Sequence, residues 1–201
     1  MNTKTSAAAL IAAICLVTAL RAEAGAPTEQ VKVTLDSVLA VLSNARSKSD
    51  AKRDDRRRQL RMIIYPRFDF SEMARRSLGS QWRRLTPEEQ KDFVEIFTDL
   101  LENAYVSKIE SYTDEKLVYV RETEEKEFAQ VDTKILTRKG EEFSLIYKLH
   151  LVNGEWKVYD VVVENISLVN NYRSQFNRVI TSSSYEELVR RLKDKRIQLA
   201  R

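Results

Sequence analysis

Residues 143–163, Phe-Ser-Leu-Ile-Tyr-Lys-Leu-His-Leu-Val-Asn-Gly-Glu-Trp-Lys-Val-Tyr-Asp-Val-Val-Val, decide the fold class of this 201-residue chain. Phe143, Leu145, Tyr147 and Leu149 recur at every second position; Asn153-Gly154 follows, then Trp156 and Val158, then Val161 and Val163. A period of two puts alternate side chains on one face of a strand. Asn-Gly between two such runs favours a tight hairpin turn, because both central residues of that turn need positive φ. Toward the N-terminus the same period covers Leu117 and Tyr119, Phe128 and Val131, and Ile135, with Lys139-Gly140 as a second turn. The segment 117–163 therefore predicts an antiparallel sheet of roughly four strands. Before it the period lengthens. Phe93, Ile96, Phe97, Leu100, Leu101, Ala104, Tyr105 and Ile109 form a wide helical stripe. Thr86, Pro87 and Glu89 ahead of it have the order of a capping box with proline at the first helical position.

Further helices are expected on both sides of the sheet in sequence. Val31, Leu35, Val38, Leu39 and Leu42 share one helical face, which a polar stretch over 43–50 ends. Residues 51–64 read as a basic helix stopped by Pro66, and 69–78 as a shorter third helix. Two more are predicted over 167–180 and 185–199. Helices first, sheet second and helices last give an α+β fold, with helices packed on the sheet. No internal repeat or Pro/Gly-rich linker divides the chain, so residues 25–201 read as a single domain.

The N-terminus has another purpose. Lys4 precedes an apolar run over 7–20, and Ala22-Glu23-Ala24 has small residues two apart, the pattern of a secretory signal peptide cleaved near Ala24. The run is about 14 residues, short of the roughly 20 that span a bilayer as a helix. The single cysteine, Cys15, has Ile14 before it where a lipidated cysteine has a small residue, and it leaves with residues 1–24. The mature chain then has no thiol for a disulfide, thiol chemistry or cysteine-ligated zinc. Losing Lys4, Arg21 and Glu23 lowers the formal net charge of +4 by one. The expected destination is an oxidising space outside the cytoplasm.

Few residues suggest reaction chemistry. His150 is the only histidine and lies on a predicted strand, and no Gly-x-Ser-x-Gly, His-Glu-x-x-His or glycine-rich phosphate loop occurs. Glu72, Asp160 and Glu164 are isolated acids, of which alternation leaves the direction of Asp160 ambiguous. Arg46, Lys48, Lys52, Arg53, Arg56, Arg57, Arg58 and Arg61 outnumber Asp50, Asp54 and Asp55, which reads either as an anionic-surface contact or as a solvated helix face. No recognition motif for nucleic acid accompanies them. Large apolar residues on helices and strands fit a filled core or a hollow one, and periodicity does not separate the two.

Three stretches carry a resemblance: Tyr65-Pro66-Arg67-Phe68-Asp69-Phe70-Ser71-Glu72-Met73-Ala74, Leu78-Gly79-Ser80-Gln81-Trp82, and residues 156–176 from Trp156 to Phe176. With the Phe93–Tyr105 helix they resemble the MlaC family, also called the toluene-tolerance auxiliary family. Asn165 stands where that family usually has glycine, and 181–184 reads Thr-Ser-Ser-Ser where a Gly-rich turn is usual. The resemblance implies an apolar lipid pocket enclosed between helices and sheet. It implies a non-enzymatic phospholipid carrier with cargo and no cofactor or metal, serving outer-membrane lipid asymmetry. The implied partners are the lipid-transferring subunit of an inner-membrane ABC transporter and an outer-membrane lipoprotein–porin complex. By the family layout, Phe97, Leu101, Tyr105, Tyr147, Leu149, Val161 and Val163 line the pocket, and Arg173, beside Tyr172 and Gln175, is structural. The competing reading is a binding protein or small pocket enzyme for another apolar ligand such as a sterol, hopanoid or quinone.

Overall fold

A computed structural model describes residues 26–43, 50–111 and 116–194. The proposed signal, residues 1–24, lies outside them. Among the described residues six helices pack on an open antiparallel sheet: α1 Pro27–Ser43, α2 Asp50–Ile64, α3 Phe70–Leu78, α4 Pro87–Glu110, α5 Leu168–Ser182 and α6 Tyr185–Lys193. The strands are β1 Lys116–Glu125, β2 Phe128–Leu136, β3 Glu142–Val152, β4 Glu155–Val163 and β5 Ile166–Ser167, in the order β1-β2-β3-β4-β5. Short 3-10 segments over Tyr65–Arg67 and Gly79–Arg84 link α2 to α3 and α3 to α4. The last predicted helix is described to Lys193 and the rest of its range lies outside.

Local chemistry accounts for the boundaries. Thr86 and Glu89 close a complete capping box on α4, and the Asp69 carboxylate accepts from the Glu72 N–H at 2.8 Å to start α3. Ser184 caps α6 in the place of the expected glycine turn, its hydroxyl accepting from the Glu187 N–H, so the α5–α6 connection needs no left-handed residue. Gly79 ends α3 with φ of 59°, and a Cβ there would meet the Arg173 guanidinium at 3.1 Å. The Arg173 side chain, from α5, thus lies over the end of α3.

The fifth strand was not visible as a period because it has only two residues. Glu164 and Asn165, with φ of 48° and 65°, turn the chain so that Ile166 pairs with Val163. Asn165 adopts the left-handed backbone that glycine takes most readily, and asparagine is among the side chains that tolerate it. Asn165→Gly is expected to raise stability by about 0.5–1 kcal/mol, roughly 2 °C in the thermal midpoint by circular dichroism. An unchanged or lower midpoint would mean that glycine's extra freedom in the unfolded chain cancels the relief.

Two apolar clusters form. One joins α3, α4, α5 and α6 around Phe93, Phe97, Tyr172 and Phe176, all at 0% exposure. The other joins the sheet to α1 through Val31, Val131, Tyr147, Leu149, Trp156 and Val158. Phe68 packs against both. Between them the structure is hollow.

Candidate functional site: an apolar cavity between helices and sheet

The cavity has a volume of about 300 Å³. Its walls are Val31, Leu35 and Val38 of α1, Leu60 and Ile64 of α2, Leu101, Tyr105, Val106 and Ile109 of α4, and Leu145, Tyr147, Leu149, Trp156, Val158, Val161 and Val163 of the sheet. A bulge shapes the sheet wall. Leu149 pairs with Val158 while Lys148 pairs with Asp160, so Tyr159 is an extra residue in β4. The bulge shifts the alternation by one position, which keeps Trp156, Val158, Val161 and Val163 on the wall together. It also settles Asp160, which is buried off the wall and caps α5, its carboxylate accepting from the Ser167 hydroxyl at 2.6 Å and the Val169 N–H at 3.1 Å.

Leu101, Tyr105, Tyr147, Leu149, Val161 and Val163 lie on the wall. Phe97 does not. It is one turn from Leu101 but faces the helical cluster, with its ring centroid 5.3 Å from that of Tyr172 and 5.8 Å from that of Phe176. Sequence reasoning left out the α1 and α2 residues, although their apolar stripes were plain, because a stripe does not say what it faces. His150 is also off the wall. Its Nε2 is 3.0 Å from Asp69 Oδ2, joining β3 to the start of α3, and its ring lies edge-on to Tyr159 with centroids 5.4 Å apart. Glu72 is engaged by Arg75 and Arg76 at 2.6 and 2.7 Å.

The polar atoms gather where α2 runs beside α4. Arg61 Nε donates to both Glu102 oxygens at 2.8 Å, and the Tyr65 hydroxyl donates to Glu102 at 2.6 Å. Arg56 donates to Glu110 Oε1 through Nε and Nη2 at 3.2 and 3.0 Å, and Arg57 Nη2 donates to Glu110 Oε2 at 3.2 Å. Much of the basic segment is thus neither a free anionic-surface contact nor a purely solvated face: Arg58 pairs with Asp55 on the exposed side, while Arg56, Arg57 and Arg61 tie α2 to α4. Burial pushes the Glu102 and Glu110 pKa values up, but the arginine hydrogen bonds and charges outweigh it and hold both below the usual 4.5. Burial, then the Glu102 hydrogen bond, pushes the Tyr65 hydroxyl pKa up.

Carboxylates with lowered folded-state pKa values stabilise the fold above their ordinary pKa, and that contribution is lost as pH falls through the folded value. Wild type is therefore expected to lose denaturant resistance progressively below pH 4.5. The double variant Glu102→Gln, Glu110→Gln should start lower at pH 7 and fall less on acidification. Parallel urea midpoints for the two proteins from pH 7 to pH 3 would assign the acid sensitivity to other carboxylates.

Among the described residues no helix is long and apolar enough to cross a membrane, and no group of three or more His, Cys, Asp or Glu is placed to hold a metal. The profile of the family described as MlaC protein matches residues 32–194. The intermembrane phospholipid transport system binding protein MlaC of Haemophilus influenzae is 22% identical over 138 residues, covering 66% of this chain and 64% of that one. The toluene tolerance protein ttg2D of Pseudomonas putida is 27% identical over 119 residues, covering 58% of this chain and 55% of that one. The chain thus spans less than two thirds of the length of these curated relatives. A phospholipid-binding protein from Ralstonia solanacearum, solved in complex with a phospholipid, superposes with a TM-score of 0.76 at 26% identity, covering 90% of this chain and all of that one. The profile match over most of the chain, with the superposition on the Ralstonia solanacearum structure, bears out the resemblance in residues 65–82 and 156–176: the chain belongs to the MlaC family.

Proposed function

We propose that this chain is a phospholipid carrier of the periplasm and not an enzyme, exported by residues 1–24 and working as a single domain over 25–201. The observation that carries the proposal is the cavity, whose walls are mainly apolar side chains from both layers of the fold. Two acyl chains hold on the order of 30 methylenes, each worth about 0.8 kcal/mol on leaving water, so a phospholipid does not cross an aqueous space unaided. An apolar cavity supplies burial of the same kind as a bilayer. It has no need to exceed it, because a shuttle that bound far more tightly than its donor and acceptor would not release. The naming of the Haemophilus influenzae relative as a binding protein of phospholipid transport, and the phospholipid in the Ralstonia solanacearum structure, support the same reading.

In this reading the cargo moves between the lipid-transferring subunit of an inner-membrane ABC transporter and an outer-membrane lipoprotein–porin complex, maintaining lipid asymmetry. The test is to express the chain with its leader, purify it from periplasm without detergent, and weigh it by native and denaturing mass spectrometry. Phospholipid at a fixed ratio per chain is the expected result. A protein that arrives empty and takes no lipid from vesicles would overturn the proposal, and a bound sterol, hopanoid or quinone would redirect it.

A further inference from the structure

Most polar groups on the cavity wall are committed to partners. Glu102 is held by Arg61 and Tyr65, and Gln30 accepts from the Trp156 N–H at 3.1 Å. Arg57 differs. Its Nη2 donates to Glu110, but its Nε–H is buried and, among the described residues, has no acceptor. A guanidinium N–H buried without an acceptor, on a side chain that is otherwise 35% exposed, is a rare arrangement that invites a ligand.

The partner of Arg57 can spare it. Glu110 receives two hydrogen bonds from Arg56, at 3.2 and 3.0 Å, beside the single 3.2 Å bond from Arg57. Arg57 can turn away without leaving the carboxylate unpaired. Its position suits a head group as well. Glu110 is the last residue of α4, and at this end of α4 the wall is Val106 and Ile109. Arg57 lines the same cavity with its side chain 35% exposed, so it stands at the border of the cavity. A lipid whose chains fill the apolar interior leaves its polar part where wall meets water.

We propose that Arg57 is the phosphate contact of the cargo, turning its Nε and one Nη as a fork onto two phosphodiester oxygens in exchange for its bond to Glu110. The inference rests on the carrier reading and adds a selection to it. A planar guanidinium matches two phosphate oxygens, and a charge-assisted pair of this kind is stronger than a neutral hydrogen bond. The cavity then prefers lipids that carry a phosphate over diacylglycerols with the same acyl chains. The group esterified beyond the phosphate matters less.

The test offers delipidated protein vesicles containing phosphatidylglycerol and dioleoylglycerol with matched acyl chains, and counts each bound lipid by native mass spectrometry. Wild type is expected to prefer the phospholipid by about tenfold. Arg57→Gln should bring the preference to near parity while diacylglycerol uptake stays unchanged, and Arg57→Lys, which restores charge without the fork, should recover part of it. Arg56→Gln should weaken the preference, since Glu110 without Arg56 keeps Arg57. Full phospholipid preference in both Arg57 variants would overturn the phosphate contact and leave the carrier reading standing. A wild type that takes neither lipid would overturn both.

Discussion

Leu101→Asp should yield a folded protein that carries no phospholipid. Leu101 is 6% exposed and lies on the α4 wall of the cavity. In the empty protein an aspartate there faces a hollow of about 300 Å³, room enough for water around the carboxylate. The cost to folding is expected to be about 2–3 kcal/mol, toward the low end for losing a buried leucine. Loading changes the balance. Acyl chains entering the cavity must strip that water, and an ionised carboxylate without a partner resists burial by more than several methylenes return. Lipid per chain is expected to fall at least a hundredfold, read by mass spectrometry on protein purified without detergent. Tyr147→Asp, from the opposite wall, should do the same. Normal lipid content in both variants at an intact circular dichroism spectrum would remove the cavity from consideration as the binding site.

Phe97→Ala should do the reverse. Phe97 is fully buried, 6.1 Å between centroids from Phe93 and edge-on to Tyr172 and Phe176. Removing a ring from this packing costs about 3–5 kcal/mol, or roughly 10–15 °C in the thermal midpoint for a domain of this size. Lipid per folded chain should stay at the wild-type ratio, because the ring is behind the wall. Loss of lipid at a temperature where the variant is still folded would place Phe97 on the binding surface, as the family layout implies.

Phe97 and Leu101 also mark the boundary of what can be read from sequence. Both fall on the stripe of α4 and both are buried, so a period of 3.6 assigns them one face. The stripe is wide enough to serve two surfaces, the helical cluster and the hollow, and only the placement of α5 separates them. Strand alternation from Leu117 onward and the Thr86–Glu89 capping box were legible because their causes are local. The side of Asp160 was not, because one extra residue, Tyr159, inverts the alternation and its position depends on the pairing with β3. Nor was the fate of the basic helix: Arg56 meets Glu110 across 54 positions of chain, and no pattern within α2 anticipates it.

The strand order has a consequence for how the chain reaches this state. Each strand pairs with its immediate successor, so every pairing closes a short loop and loses little chain entropy. The sheet can therefore zip from any of its turns soon after the chain emerges. Joining α1 to it is a different matter. The Thr28 N–H reaches Glu122 and Gln30 reaches Trp156 across separations of 94 and 126 residues, and the Asp69–His150 contact spans 81, so docking helices on the sheet takes the slow, non-local contacts of the fold. Val31, Leu35 and Val38 of α1 and Leu60 and Ile64 of α2 also line the cavity, so the pocket is complete only when these two helices are in place.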